Sequence, residues 1–245
     1  MKGLNERLTP CPIHYSNTKN RNLLNSLYGF EGDTEEDTIQ KKGEGALGMD
    51  LEKVWDQRLK IKTVGRDDVQ ADAYRYPYEP TPYCVLERLA DSGLIGKEDV
   101  LLDYGCGKGR VEFFLSYQTG ACAIGIEYDE RIYHDALENQ RVAHSRAKAE
   151  FLLARAESYA VPQQVNRCYF FNPFSVEILH KAMARILESY YAYPREIRLF
   201  FYFPSDEYVA YLMGVEELDF YDEIECDDLF AGKEQRERIL IFSLP

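Results

Sequence analysis

The C-terminal part of the chain alternates short apolar runs with longer amphipathic stretches. The apolar runs have the length of buried strands, and the stretches between them, such as residues 176–191, repeat apolar residues at helical spacing. Buried strands that alternate with helices are typical of a parallel sheet covered on both faces. The predicted strands of this sheet are residues 99–103, 121–127, 149–154, 166–171 and 196–203.

The end of the chain departs from this alternation. After a helix predicted near residues 205–214, residues 215–226 and 236–242 are two further predicted strands. Roughly nine residues separate them, which is too few for a parallel crossover, so we expect them to pair antiparallel. The predicted fold class is α/β: a three-layer α/β/α sandwich around a seven-strand sheet with an antiparallel final hairpin, preceded by an N-terminal extension.

The segment before the first predicted strand is mostly polar. The first forty-five or so residues are irregular in pattern, and residues 51–59 predict a short helix that carries Trp55. We therefore expect two parts, an irregular N-terminal extension or lid over residues 1–70 and a folded α/β domain over residues 71–245.

A proline-rich segment leads into the first helix of that domain. Tyrosines alternate with three prolines over residues 74–83, and proline fixes φ while disfavouring helix at the residue before it. This segment is therefore predicted to be extended and stiff. We expect Thr81 to cap the following helix, with Pro82 at its first position.

Charge and cysteine usage change which partners are expected. The formal net charge is −13, and such a field repels the phosphate backbone of nucleic acids, so a protein or small-molecule partner is favoured. The six cysteines are scattered without metal-ligand spacing, and no apolar run approaches membrane-spanning length. We expect no metal site and no membrane partner, and a cytoplasmic location.

The most informative segment is the turn after the first predicted strand. Residues 103–110 have the sequence Asp-Tyr-Gly-Cys-Gly-Lys-Gly-Arg. Glycines let a ligand approach the backbone, and a helix that begins here presents free N–H groups. The next predicted strand ends in Glu127, whose carboxylate can accept hydrogen bonds from both ribose hydroxyls of an adenosine.

Two ligand classes bind turns of this kind. A dinucleotide needs the pattern Gly-x-Gly-x-x-Gly for its pyrophosphate, but counting from Gly105 places Arg110 at the last glycine. The carboxylate of Asp103 also suits a ligand that carries an ammonium and a sulfonium better than it suits a pyrophosphate. A nicotinamide-dependent oxidoreductase is therefore the less favoured alternative.

With these residues, the segment from about residue 99 to residue 245 resembles the class I S-adenosylmethionine-dependent methyltransferases, whose Rossmann-like seven-strand sheet ends in an antiparallel hairpin. The resemblance implies a methyltransferase domain over residues 71–245 and S-adenosyl-L-methionine as its cofactor. It implies that Asp103 binds the methionine amino group and that Glu127 binds the ribose. The other implied cofactor contacts are Gly105, Cys106, Gly107, Gly109, Tyr128, Ala156 and Asn172.

The loop after the third predicted strand departs from the family's pattern. It usually carries a small residue and an acid around the adenine, but here Arg155 stands at the usual acid position. Ala156 matches the family's small residue better and is the expected adenine contact, and the side chain of Glu157 is a further candidate for contact with the adenine.

The fourth predicted strand ends in Asn172-Pro173-Phe174, and in this family that strand end faces the transferable methyl group. The amide oxygen of Asn172 could accept a hydrogen bond from a substrate N–H, and Phe174 could supply an apolar wall or a π-face toward the sulfonium. The segment resembles the NPPY-type motif of amino-group methyltransferases, without one proline, and the asparagine–phenylalanine ending of the non-SET histone lysine methyltransferases. The alternative is a turn that closes the strand, with the aromatic residues in the core.

Four segments carry a second resemblance: VWDQRLKIKT (54–63), YRYPYEPTPYCVLERL (74–89), LLDYGCGKGR (101–110) and FFNPFS (170–175). In this order they resemble a bacterial group of class I methyltransferases whose substrates are unassigned, from residue 54 onward. In such enzymes the stretch before the first helix lies over the cofactor. The implied lid residues, with Tyr78 and Thr81 as cofactor contacts, are Tyr76, Tyr78, Glu79 and Thr81. The alternative is a stiff strap packed on the edge of the sheet.

The function predicted from the sequence is methyl transfer from S-adenosyl-L-methionine to a nitrogen or oxygen nucleophile, with Asn172 and Phe174 as catalytic candidates. Residues 206–228 contain many acids and no lysine or arginine, which keeps a basic protein acceptor open beside a small molecule. A regulatory protein that binds the cofactor without turnover is the alternative outside enzymes.

Overall fold

Seven strands form one mixed sheet in the computed structural model, which describes residues 44–69, 71–232 and 234–245. The strands are β1 (Val100–Tyr104), β2 (Cys122–Glu127), β3 (Ala149–Leu153), β4 (Arg167–Phe170), β5 (Ile197–Tyr202), β6 (Asp219–Glu225) and β7 (Arg238–Leu244). Their order across the sheet is β3-β2-β1-β4-β5-β7-β6. The first five strands pair in parallel, whereas β7 is antiparallel to both β5 and β6. The predicted Rossmann-like fold class, with its antiparallel final hairpin, is confirmed.

Six α-helices cover this sheet within the described residues. They are α1 (Glu44–Leu59), α2 (Tyr83–Asp91), α3 (Arg110–Thr119), α4 (Glu130–Val142), α5 (Val176–Ala192) and α6 (Asp206–Leu212). Successive side chains of a strand point to opposite faces, so Leu101 and Leu102 belong to two separate buried clusters, one on each face. These clusters form the two interfaces of a three-layer sandwich. No described helix is both long and apolar enough to cross a membrane.

The strand order reverses at β1, and this reversal positions the candidate site. The chain passes from β1 to β2 and β3 on one side, and then returns to β4 and β5 on the other. The ends of β1, β2 and β4 are level, because Tyr104 pairs with both Ile126 and Phe170. Such a reversal leaves a crevice beyond the carboxyl ends of the strands, where open α/β sheets bind ligands.

α1 contributes side chains to the same core as the sheet. The predicted helix over residues 51–59 is present and begins earlier, at Glu44. Trp55 is 3% exposed, and its ring lies 4.8 Å from that of Phe114 in α3. The predicted boundary at residue 70 stays a prediction, and the irregular structure expected for residues 1–43 lies outside the described residues.

The start of α2 differs from the expectation based on sequence. The helix begins at Tyr83, and Pro82 is its N-cap residue. The Thr81 hydroxyl is buried and lies 3.1 Å from the hydroxyl of Tyr169 in β4, whereas the N–H of Tyr83 donates to Oε1 of Glu52 in α1. The predicted Thr81 cap is wrong, because a carboxylate from another helix already satisfies the first N–H of α2.

Substitution of Trp55 tests the attachment of α1 to the core. Trp55→Ala is expected to lower the free energy of unfolding by about 3–5 kcal/mol, because it removes a large buried ring and leaves a cavity. Gln57→Ala, on the exposed side of the same helix, is the matched control and should change it by less than about 0.5 kcal/mol. Urea denaturation followed by circular dichroism measures both. Equal effects of the two substitutions would show that α1 does not belong to this core.

Candidate cofactor site

The glycine turn between β1 and α3 is held in a conformation that favours glycine. Gly105, Gly107 and Gly109 have φ angles of 77°, 56° and 88°. A Cβ added to Gly107 would lie 2.2 Å from the ring of Tyr78, and one added to Gly109 would lie 2.5 Å from the ring of Phe151. The turn therefore depends on glycine both for its backbone angles and for the side chains that approach it.

Glu127 ties this turn to the end of β2. Its Oε2 accepts a hydrogen bond from the N–H of Gly107 at 3.1 Å, and its Oε1 accepts from the N–H groups of Tyr128 and Asp129, both at 2.9 Å. Burial raises the pKa of Glu127, and these backbone hydrogen bonds oppose that shift. A carboxylate has about four acceptor sites, so three backbone bonds leave room for one more donor.

Asp103 lies at the carboxyl end of β1 and is 3% exposed. Burial raises the pKa of its carboxyl to about 8; a hydrogen bond with Glu112 opposes this shift, and the like charge of Glu127 adds to it. No salt bridge joins Asp103 or Glu127 to a lysine, arginine or histidine of the described residues. Buried acids without a counter-charge suit a cationic ligand.

Asp103 and Glu127 line one cleft, whose empty space is about 940 Å³ including its open mouth. The predicted site residues that line it are Tyr76, Tyr78, Glu79, Thr81, Asp103, Gly105, Cys106, Glu127, Tyr128, Ala156, Glu157 and Phe174. The other predicted residues, Gly107, Gly109 and Asn172, are not part of its lining. Lining residues that the sequence analysis did not single out include Asp67, Arg75, Ile132, Tyr169 and Phe171.

The strap (residues 71–81) crosses the cleft above the carboxyl ends of the strands. Arg75 forms a salt bridge with Glu157 at 2.8 Å, and its guanidinium lies 4.8 Å from the ring centroid of Tyr128. The N–H of Tyr76 donates to the carbonyl oxygen of Pro173 at 3.2 Å. The strap therefore contacts the loops after β2, β3 and β4, not only the edge of the sheet.

A buried polar network holds the end of the strap against α3. The Tyr78 hydroxyl donates to the carbonyl oxygen of Thr63 at 2.6 Å, and Oγ1 of Thr63 accepts from Nε of Arg110 at 2.7 Å. Arg110 is 2% exposed, and it also donates to the carbonyl oxygen of Thr81 and to Glu52. The arginine that ends the glycine turn therefore anchors the segment that covers it.

Asn172 and Phe174 follow β4 and have different surroundings. Asn172 has a φ of 40°, unusual for a residue other than glycine, and its Oδ1 is buried without a hydrogen-bond partner among the described residues. Phe174 is 5% exposed and packs edge-on against Phe170, while one side of it lines the cleft. Asn172 lies between two cleft residues, Phe171 and Pro173.

No protein-family model matches this chain. A curated relative is a protein-lysine N-methyltransferase from Saccharolobus islandicus (strain REY15A), which is 31% identical over 64 residues. The match covers 26% of this chain and 40% of that protein, so the chain spans about two fifths of the relative's length. The match therefore does not assign the relative's activity to this chain.

Solved structures show the fold. A protein of the NADB-Rossmann superfamily from Streptococcus agalactiae superposes with a TM-score of 0.51 at 17% identity, covering 68% of this chain and 69% of that chain. A TehB-like SAM-dependent methyltransferase from Corynebacterium glutamicum ATCC 13032 Kitasato has a TM-score of 0.49 at 16% identity. The superposition covers 82% of this chain and 100% of that chain. At 17% identity, the likeness to the Streptococcus agalactiae protein supports the Rossmann-like architecture alone.

A glycine substitution tests the contact between the strap and the turn. Gly107→Ala is expected to lower the free energy of unfolding by roughly 2–4 kcal/mol, because the new Cβ meets the Tyr78 ring and the φ is positive. Gly93→Ala is the matched control, since Gly93 has a φ of 74° with no atom within 4 Å of an added Cβ, and should cost about 1 kcal/mol. Urea denaturation measures both variants.

The same comparison in a Tyr78→Ala background separates the two causes. Without the ring, the further cost of Gly107→Ala should fall to that of Gly93→Ala. An unchanged cost in that background would contradict the contact.

Proposed function

We propose that this chain is a class I methyltransferase that binds S-adenosyl-L-methionine in the cleft and transfers its methyl group to a nitrogen nucleophile. The observation that carries the proposal is the placement of Asp103 and Glu127. Both are buried acids without a paired cation among the described residues, and both line one open cleft beside a glycine turn. A ligand with a cationic end and a ribose would complement both groups.

In this proposal the two ends of the cofactor meet different groups. The carboxylate of Asp103 binds the methionine ammonium, and Glu127 uses its remaining acceptor site for one ribose hydroxyl. Ile132 and Ala156 supply apolar surface for the adenine. Because Glu157 is already paired with Arg75, its main role is to anchor the strap.

S-adenosyl-L-methionine supplies an electrophilic methyl group on a sulfonium. Methyl transfer is an in-line displacement, so the protein must hold the acceptor nitrogen a few ångströms from that carbon. In this proposal the Asn172 side chain, which lies just outside the cleft lining between Phe171 and Pro173, turns toward the cleft, where its Oδ1 accepts a hydrogen bond from the acceptor N–H and orients the nitrogen lone pair. A buried acceptor atom that lacks a donor is unfavourable, and a substrate N–H would relieve this cost. Phe174 provides an apolar wall that excludes water from the reacting atoms.

The acceptor in this proposal is an amine on a basic protein segment. The net charge of −13 favours such a partner over nucleic acid. Acidic residues also remain exposed on β6, the edge strand of the sheet, where Asp219 and Asp222 lie. The curated relative is a protein-lysine N-methyltransferase, which agrees with this acceptor class.

Asn172→Gly tests the proposed reaction centre, because it removes the side chain with its amide while glycine tolerates the φ of 40°. Wild-type protein is incubated with a cell lysate and tritiated S-adenosyl-L-methionine, and the labelled species are sized by gel electrophoresis. We expect label on protein, and a loss of transfer of at least about a hundredfold in the variant. Calorimetric affinity for S-adenosylhomocysteine, the control, should stay within about threefold.

Other outcomes would contradict parts of the proposal. Transfer by Asn172→Gly at the wild-type rate would remove Asn172 from the reaction centre. Label only on small molecules would contradict the protein acceptor. A wild-type protein that binds S-adenosylhomocysteine but labels nothing would favour the regulatory binding protein, and a folded protein that binds no such ligand would contradict the proposed cofactor.

A further inference from the structure

A second carboxyl group is buried directly behind Asp103. Glu112 is the third residue of α3, and its side chain is 0% exposed. Apart from Asp103, no side chain of the described residues offers a hydrogen bond to either of its oxygens. The carboxyl of Asp103 lies within hydrogen-bond reach of it. Two adjacent acids can form that bond only if one of them carries a proton.

The neighbouring strand leaves room for this carboxyl. Gly125 of β2 pairs in register with Asp103 of β1. A Cβ added to Gly125 would lie 2.3 Å from Oε1 of Glu112 and 2.6 Å from Cβ of Cys106. Any residue with a Cβ at position 125 would displace the Glu112 carboxyl. The absence of a side chain at Gly125 therefore provides the space that this carboxyl fills. Val111 and Phe113, the residues next to it in the sequence of α3, are buried and apolar.

Among the residues that the structure describes, no positive charge pairs with either of these two acids. The titratable groups that face Asp103 are Glu112 from α3, Glu127 from the end of β2, Cys106 from the turn and Tyr169 from β4. None of these is a cation, and no described lysine, arginine or histidine forms a salt bridge with either member of the pair. Two buried carboxylates this close cannot both be ionised, which accounts for the proton on Glu112. Asp103 is itself only 3% exposed, has no counter-charge among the described residues and lies near Glu127, so burial favours its neutral form as well until a cation binds.

We infer that Glu112 is a positioning residue, which acts in its neutral acid form as the hydrogen-bond donor that orients Asp103, and that Asp103 loses a proton when the ligand's ammonium binds it. The inference rests on the proposed binding of S-adenosyl-L-methionine. On binding, the O–H bond of the Asp103 carboxyl breaks, its electron pair remains on the carboxylate, and the proton passes to the buffer. The ammonium takes over the role of counter-charge, and Glu112 keeps its own proton.

The protonation of Asp103 in the ligand-free protein decides whether the affinity for the ligand rises or falls with pH. Burial raises the pKa of Asp103 to about 8, and burial beside Asp103 raises the pKa of Glu112 well above its usual range. Below about pH 8 the free protein therefore holds a proton that the ligand must displace. The affinity for S-adenosylhomocysteine should rise about tenfold per pH unit between about pH 5.5 and pH 7.5, below the titration of the ligand's own amino group.

Two variants separate the hydrogen bond from the charge. Glu112→Gln keeps a donor of the same size, so it should preserve the wild-type affinity within about threefold and the same pH slope. Glu112→Met keeps the length of the side chain but has no hydrogen-bond donor, so it cannot stabilise the ionised carboxylate of Asp103. Its affinity for S-adenosylhomocysteine at pH 7 should fall at least about tenfold, with the midpoint of the pH profile moved upward.

The experiment is calorimetry of the full chain in buffers that differ in ionisation enthalpy, which counts the protons released on binding. Wild-type protein and Glu112→Gln should release close to one proton with S-adenosylhomocysteine near pH 6.5. The matched ligand is 5′-deoxy-5′-methylthioadenosine, which lacks the amino acid part. It should bind without proton release, and with equal affinity to all three proteins.

Each contrary result has a distinct meaning. Binding of S-adenosylhomocysteine without proton release would overturn the inference and leave the proposed cofactor standing. A Glu112→Met protein that binds like the wild type, or a Glu112→Gln protein that binds like Glu112→Met, would also overturn it. No binding of either adenosyl ligand by folded wild-type protein would contradict the proposed function itself. If Glu112→Met does not fold, two results decide the question: whether the wild type releases a proton on binding, and whether Glu112→Gln keeps the wild-type affinity and proton release.

Discussion

The candidate site depends on the hydrogen bonds between Glu127 and the backbone. The carboxylate binds the N–H of Gly107 in the turn after β1 and the N–H groups of Tyr128 and Asp129 after β2, so the ends of two neighbouring strands are fixed to each other. The hydrogen bonds from Gly107 and Asp129 are buried, and losing the carboxylate would leave these two N–H groups without this acceptor at a cost of about 1–3 kcal/mol each. This constraint keeps Asp103 and Glu127 on the same cleft.

The sheet and the turn could be predicted from the sequence because their signals are local. Buried strands are short apolar runs bounded by polar residues, and each predicted strand contains most of an observed one, as residues 121–127 contain Cys122–Glu127. The antiparallel hairpin followed from the short connection between the last two strands. The glycines at 105, 107 and 109 and the acids at 103 and 127 lie beside strand ends, so topology alone brings them together.

Other parts of the site depend on contacts between distant segments, which no local pattern reports. Thr81 does not cap α2, because Glu52 reaches its first N–H from another helix. The path of the strap is fixed by Arg75 and Glu157, which are far apart in the sequence. In the sequence, Glu112 is visible as an acid within an apolar helical stretch. Its role depends on the space that Gly125 leaves in the neighbouring strand, which no local pattern reports.

The roles of Asp103 and Glu127 can be tested by a crystal structure of the chain with S-adenosylhomocysteine. We expect the ligand to lie in the cleft under the strap, with its amino group within hydrogen-bond distance of Asp103 and a ribose hydroxyl within hydrogen-bond distance of Glu127. A ligand found elsewhere on the protein, or bound with its adenosine end toward Asp103, would show that these roles are wrong.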